Sequence, residues 1–332
     1  VDLFVGGRLV PWRYGETPQS VLLINDGRGY FTDQTVWRAP DLRQVGMVTD
    51  AAWADLDGDG RLDLIVVGEW MPITIFRNMG QGRLERLSIP PLDSLKGLWH
   101  RLVVADFNGN GSPDLVVTNL GLNTPLKASP EAPLVLWAKD FDQNGFFDHI
   151  LTRREGVRHR PFTLLSELRS QLPYFAQRIP SHAAYAQMML EDIFRPQELE
   201  GALVLEVTEL QSMYIENLGD WQFRPRPLPF EAQWAPLYGL LPIDVDGDGH
   251  LDLLAGGNFR WAQTGIGLME ATYGLWLKGD GQGNFTAVLP RDSGFFVSGE
   301  VRDLRLLRPA DQPPLILVAL NDAAPRFFQL RR

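Results

Sequence analysis

Cysteine is absent from the 332 residues, which excludes disulfides, thiolate metal sites and cysteine nucleophiles. Histidine is scarce: there are only His100, His149, His159, His182 and His250, and they form no metal-ligand spacing. No apolar run reaches the roughly 18 residues that cross a bilayer, so a transmembrane helix is not expected. Basic residues are the minority, 31 against 41 Asp and Glu, and the net charge of −10 argues against a nucleic-acid partner. Gly-x-Ser-x-Gly does not occur, and the glycine-rich stretches are strand turns that open no helix. Neither a nucleophile elbow nor a phosphate loop is expected.

Turn formers are plentiful. With 32 Gly, 24 Pro, ten Trp and 45% hydrophobic residues, the composition points to many short strands around a sizeable core. The length is compatible with one large repeat domain spanning 1–332, since no linker-like stretch interrupts it. The chain opens with Val1 and shows no signal-peptide pattern; it is expected to be a processed or trimmed piece of something longer.

The acidic residues are patterned. Asp55-Leu-Asp57-Gly-Asp59-Gly60-Arg61-Leu-Asp63 places carboxylates at loop positions 1, 3, 5 and 9, with glycine at 6 and an apolar run after it. Asp106, Asn108, Asn110, Ser112 and Asp114 repeat the pattern, as do Asp140, Asp142, Asn144, Phe146 and Asp148, and Asp244, Asp246, Asp248, His250 and Asp252. Side-chain oxygens at alternate positions, with a backbone carbonyl at position 7 (Arg61, Ser112, Phe146, His250), make an oxygen cage suited to Ca²⁺; Mg²⁺ dehydrates too reluctantly for such cages. An EF-hand is excluded, because position 12 is Val66, Val117, Leu151 or Ala255 in place of glutamate, each within a strand-like run. Counting carboxylates ranks the 55 and 244 loops first, the 140 loop next and the 106 loop weakest.

Spacing turns these loops into a repeat. Asp63 to Asp114 is 51 residues, and Asp2 to Asp63 is 61, so Asp2-Leu3 reads as the tail of a first copy whose loop lies upstream. Tight polar turns recur at Asn25, Asn78, Asn217 and Gly279. A period of 50–60 residues is the size of a four-stranded propeller blade. The 138 residues from Asp114 to Asp252 then hold two periods plus an insertion near 163–195. There Leu164, Leu165, Leu168 and Leu172 form a helical stripe, and Ser181 caps a second helix. This insertion is expected on the outer edge of a blade, with 161–235 forming a blade unit of its own.

The Asp-x-Asp-x-Asp-Gly-x-x-Asp-Leu loops, with their Asn-x-Gly-x-Gly turns, resemble the FG-GAP or VCBS repeats of integrin-α-like β-propellers. The Lys139–Gly145 segment and the helical insert are similar to a bacterial secreted subgroup. The resemblance implies an all-β fold: a propeller of about six four-stranded blade units, from a parent ring that seven blades would complete. It also implies a secreted or cell-surface location and ligand binding on the face opposite the acidic loops. The strand ends emerging there carry Trp12, Tyr14, Glu69, Trp70, Trp99, His100, Trp234, Asn258, Arg260 and Trp261. Aromatic rings mixed with polar groups suit a glycan or protein ligand. The expectation is therefore a Ca²⁺-stabilised binding or adhesion module, not an enzyme. Two rivals are a structural subunit of a surface assembly, joined by self-assembly or a neighbouring chain, and a polysaccharide-active enzyme using Glu69, His100 or Glu270.

Overall fold

Leu64, Ile65, Val66 and Val67 are fully buried in the strand Asp63–Pro72, and the alternation of their side chains explains how. Leu64 and Val66 join a cluster with Leu22 and Val48 on one side; Ile65 and Val67 join Leu115, Val117 and Ile215 on the other. A strand sandwiched between two neighbouring sheets must be apolar on both faces, and so reads as an uninterrupted run. The pattern repeats: Val116 packs with Leu253 and Ala255, and Leu254 with Val301 and Leu304. Each sheet is thus a blade packed between its neighbours.

The computed structural model describes residues 2–260, 265–310 and 313–330. Five antiparallel sheets follow one another. The first is three-stranded, Leu3–Val5, Val21–Asn25 and Phe31–Asp33. The second runs Met47–Ala54, Asp63–Pro72, Thr74–Asn78 and Leu84–Arg86, with Lys96–Leu98 added beside Asp63–Pro72. The third comprises Arg101–Ala105, Asp114–Thr118, Met213–Asn217 and Phe223–Pro227. The fourth is Leu237–Ile243, Asp252–Gly257, Leu275–Gly279 and Phe285–Val288, and the fifth Val301–Leu307, Leu315–Leu320 and Arg326–Gln329. The leading strands of the second to fifth sheets pack in succession, as the inner strands of a propeller do.

Two expectations are corrected here. The 161–235 stretch is not a blade: Met213–Asn217 pairs directly with Asp114–Thr118 and completes the third blade. Everything between those strands is one insertion, larger than 163–195, with its own four-stranded sheet of Leu134–Lys139, Asp148–Glu155, Arg158–Pro161 and Leu203–Val207. The helix Leu165–Gln171 and the short turns after it pack on this inserted sheet, through Leu165, Leu168, Leu172 and Ile193 against Ile150 and Trp137, not on a blade edge. Ser181 does cap the turn His182–Tyr185, accepting from the Ala184 N–H at 3.1 Å. The second helix is broken into His182–Tyr185 and Leu190–Ile193. The 140 loop accordingly joins two strands of the inserted sheet.

Candidate metal loops and a cavity on the opposite face

Within each acidic loop the first aspartate organises the turn. Asp55 accepts from the Asp59 and Gly60 N–H groups at 3.1 and 2.8 Å, Asp106 from Asn110 and Gly111, and Asp140 from Asn144 and Gly145; Asp244 accepts from Gly247 and Gly249. The amide at position 7 donates to the side chain at position 5: Arg61 to Asp59, Ser112 to Asn110, Phe146 to Asn144 and His250 to Asp248. Such turns need left-handed backbone, which Gly58, Gly109 and Gly247 adopt readily; in the 140 loop Gln143 holds φ 61° instead.

The ninth-position aspartates are buried clamps. Asp63 accepts from Leu56 N at 3.0 Å and Asn78 N at 2.8 Å, tying its loop to the third strand of the blade. Asp114 is held by Phe107, Asn217 and the Tyr214 hydroxyl, and Asp252 by Val245 and Gly279. Asp148 accepts a single backbone N–H, from Phe141 at 3.0 Å, because Arg158–Pro161 pairs only with the far end of its strand. Burial raises the pKa of all four from the ordinary aspartate value; Asp148 is pushed up to about 6, with Asp142 and Asp140 adding to the rise.

Three loops bring carboxylate oxygens within 4.8 Å of one another: Asp55, Asp57 and Asp63; Asp140, Asp142 and Asp148; Asp244, Asp246 and Asp248. Ligands on a common Ca²⁺ at 2.3–2.6 Å lie at most about 5 Å apart, so these donor sets fit the ion. The 106 loop does not assemble such a trio, and the Asn108 and Asn110 amides turn to Tyr214, Glu216 and the Asn217 carbonyl.

The charge next to each loop went unread in the sequence. Arg77 lies 2.7 Å from Asp57 and 3.7 Å from Asp59, with Arg61 also on Asp59; Lys278 contacts Asp246 and lies 3.2 Å from Asp248. Beside the weakly charged 106 loop the equivalent residue is Glu216, reached by Asn108 at 3.5 Å. Arg77, Glu216 and Lys278 each directly precede the residue whose N–H holds the ninth aspartate, so alignment of the polar turns was the signal that could have found them. Among the described residues no basic side chain pairs with Asp140, Asp142 or Asp148. Among the described residues the 140 loop is therefore the one trio without a protein counter-charge.

At the other ends of the strands a cavity of about 330 Å³ lies between the propeller and the insert. Four residues expected on this face meet in its wall: Tyr14, Glu69, Trp70 and His100. Arg8 donates to Glu69 at 2.7 Å, the Tyr14 hydroxyl donates to the second Glu69 oxygen at 2.9 Å, and the Trp70 indole N–H donates to Tyr14 at 2.8 Å. Trp70 holds φ 60°, an uncommon conformation for a bulky residue and a form of strain that concentrates at binding sites. The His100 ring stands 4.7 Å from Tyr238, and its Nε2 is shielded without a hydrogen-bond partner. Burial, reinforced by Arg8 and Arg302, lowers its pKa to about 3 and keeps the imidazole neutral; burial raises that of Tyr238 to about 12.

The remaining candidates are placed elsewhere. Trp99 is fully buried core, its indole N–H donating to the Met71 carbonyl at 3.0 Å. Asn258 is a buried brace, bonded to the Thr272 and Gly299 carbonyls. Trp12 is exposed and packs edge-on against Phe146 of the 140 loop. Trp234 packs on Phe230 in a separate recess, and the Arg260 guanidinium pairs with Glu270. Trp261 lies outside the described residues.

Residues 1–66 and 55–117 match the family model of the FG-GAP-like repeat. Solved structures similar to the chain include Saccharomyces cerevisiae Sqt1 (12% identity, TM-score 0.38, covering 96% of this chain and 68% of that one). Another is an Agrocybe aegerita lectin recognising non-reducing terminal N-acetylglucosamine (15%, 0.28, 99% and 80%). A third is BBS1N in complex with ARL6DN (11%, 0.24, 95% and 88%). Similarity this low carries no argument about function. No curated protein matches the chain significantly. Residues 1–117 thus carry FG-GAP-like repeats, and with its repeated acidic loops and antiparallel four-stranded sheets the chain folds as a β-propeller.

Proposed function

We propose that the chain is an extracellular, Ca²⁺-stabilised binding module whose ligand seat is the cavity opposite the acidic loops. One observation carries this reading: Arg8, Tyr14, Glu69, Trp70 and His100 come from three separate stretches of chain and converge on a single concavity. Convergent polar groups in a largely apolar hollow are the mark of a ligand site. A binding role is favoured over catalysis because both Glu69 oxygens are engaged by Arg8 and Tyr14, and His100, its pKa lowered to about 3 by burial, is a weak base.

Calcium belongs first to the 140 loop, where Asp140, Asp142 and Asp148 would hold it. In the 55 and 244 loops it would displace Arg77 and Lys278. A hollow of about 330 Å³ favours a small molecule over the glycan or protein surface expected from the sequence. The alternative of a structural subunit draws on the exposed outer strand Arg326–Gln329, where Phe327 is solvent-facing. The test is isothermal titration of EDTA-stripped protein with CaCl₂, alongside Asp140→Asn. Saturable binding that weakens at least tenfold in the variant is expected; no heat of binding and no change on adding calcium would refute the metal assignment.

A further inference from the structure

Apolar side chains reach the cavity from three parts of the fold. The second blade gives Trp70 and Leu98, the inserted sheet gives a leucine wall of Leu134 and Leu151, and the segment beyond the strand Asp252–Gly257 gives Phe259 and Met269. Two of these walls are held in place by hydrogen bonds. The Trp70 indole donates to the Tyr14 hydroxyl at 2.8 Å, and Phe259 and Met269 exchange backbone bonds of 2.8 and 3.0 Å. A preformed wall spares a ligand the entropy of ordering it. The polar end is largely occupied with itself: Arg8 and Tyr14 both donate to Glu69, and the Arg8 and Glu69 charges offset each other. The volume, about 330 Å³, lies at the small end of the roughly 300–1,000 Å³ usual for ligand sites.

We infer that this cavity takes an uncharged, predominantly apolar small molecule, a single ring or a short alkyl chain, and not a sugar. Apolar surface leaving water on both sides drives such binding without any new hydrogen bond. A sugar would bring several hydroxyls to a wall whose polar groups are mostly paired with one another, and would leave hydroxyls unpaired. An ion of either sign would lose its water on entering, and the Arg8–Glu69 pair offers it no net charge in return. Met269, unbranched and adaptable, lets the wall fit more than one apolar shape. This inference rests on the binding-module reading and names the class of its ligand.

The probes are ethylbenzene, propylbenzene and butylbenzene, with 4-propylbenzoate and N-acetylglucosamine as the charged and polyhydroxy alternatives. Binding is measured on the full chain in calcium buffer by ligand-observed NMR and titration calorimetry. Each added methylene is expected to tighten binding by up to about fourfold, the transfer value of one buried CH₂. Propylbenzoate should bind about tenfold or more weakly than propylbenzene, because its charge is costly to desolvate. Ile266→Trp and Leu98→Trp each enlarge a half-buried wall residue. Both should weaken the hydrocarbons about tenfold or more by overfilling the space, and either suffices if the other does not fold. Affinity that ignores chain length, or that is unchanged in a folded variant, overturns the inference. Binding of N-acetylglucosamine or propylbenzoate without the hydrocarbons overturns the ligand class and leaves the binding-module reading standing. A folded, calcium-loaded chain that binds none of the probes overturns the inference and the cavity as ligand seat.

Discussion

At the scale of single residues, the acidic loops are decided by their neighbours as much as by their own carboxylates. Lys278 sits on Asp246 and Asp248, where it acts as a tethered counter-ion that a soluble cation must displace. Lys278→Ala is therefore expected to raise calcium affinity at the 244 loop by roughly fivefold, the effect of about one unit charge screened as in water. Calorimetry on the variant checks this, and weaker binding would contradict the competition. His100 gives a pH dependence whose sign follows from burial. In the unfolded chain the imidazole takes up a proton near pH 6.5; in the folded one it stays neutral to about pH 3. The unfolded state binds more protons across that window, so stability falls as pH drops from about 6.5 toward 3. Between pH 7 and 5 the loss is at most about 2 kcal/mol, and H100F should remove it from a plot of melting temperature against pH.

At the scale of elements, loop, following strand and polar turn act as one unit. The ninth aspartate is the rivet, since it takes N–H groups from its own loop and from the third strand. This unit was legible from the 55 loop, where Asp55 to Asn78 spans about 25 residues and the chemistry is local: alternate oxygens, a glycine, an apolar run. The inserted sheet was not legible. Its strands have the same apolar alternation as a blade, and nothing local says that Asp114–Thr118 pairs with a strand 95 residues further on. Trp99 shows the same limit: a tryptophan at a strand end reads alike whether it faces solvent or core. Trp99→Ala should cost about 3–5 kcal/mol, measurable by urea unfolding, because the side chain is fully buried between blades and its indole N–H is bonded. Gly257→Ala should also destabilise, by about 1–3 kcal/mol, since a Cβ there would collide with the Pro236 carbonyl.

At the scale of the whole molecule, the acidic loops and the cavity lie at opposite ends of the strands. Calcium at the loops would act on the ligand face only through the stiffness of the blades. By mass action, calcium at about 100 times its dissociation constant adds about 2.7 kcal/mol per site, so EDTA should lower the melting temperature by several degrees. An unchanged melting curve would contradict a stabilising role. What the sequence by itself determined was the repeating unit and its clustered carboxylates, because both are set by side chains a few residues apart. Tertiary structure alone decided which loop lacks a counter-charge, which aromatic residues are core, and where the cavity lies. Those depend on strands brought together from distant stretches: Arg8, Glu69 and His100 meet only once the blades pack, and the leucine wall exists only once the insert folds back over them. The loops at Asp55 and Asp244 carry four carboxylates each, yet Arg77 and Lys278 already answer them; the loop at Asp140, with three, has no such partner among the described residues.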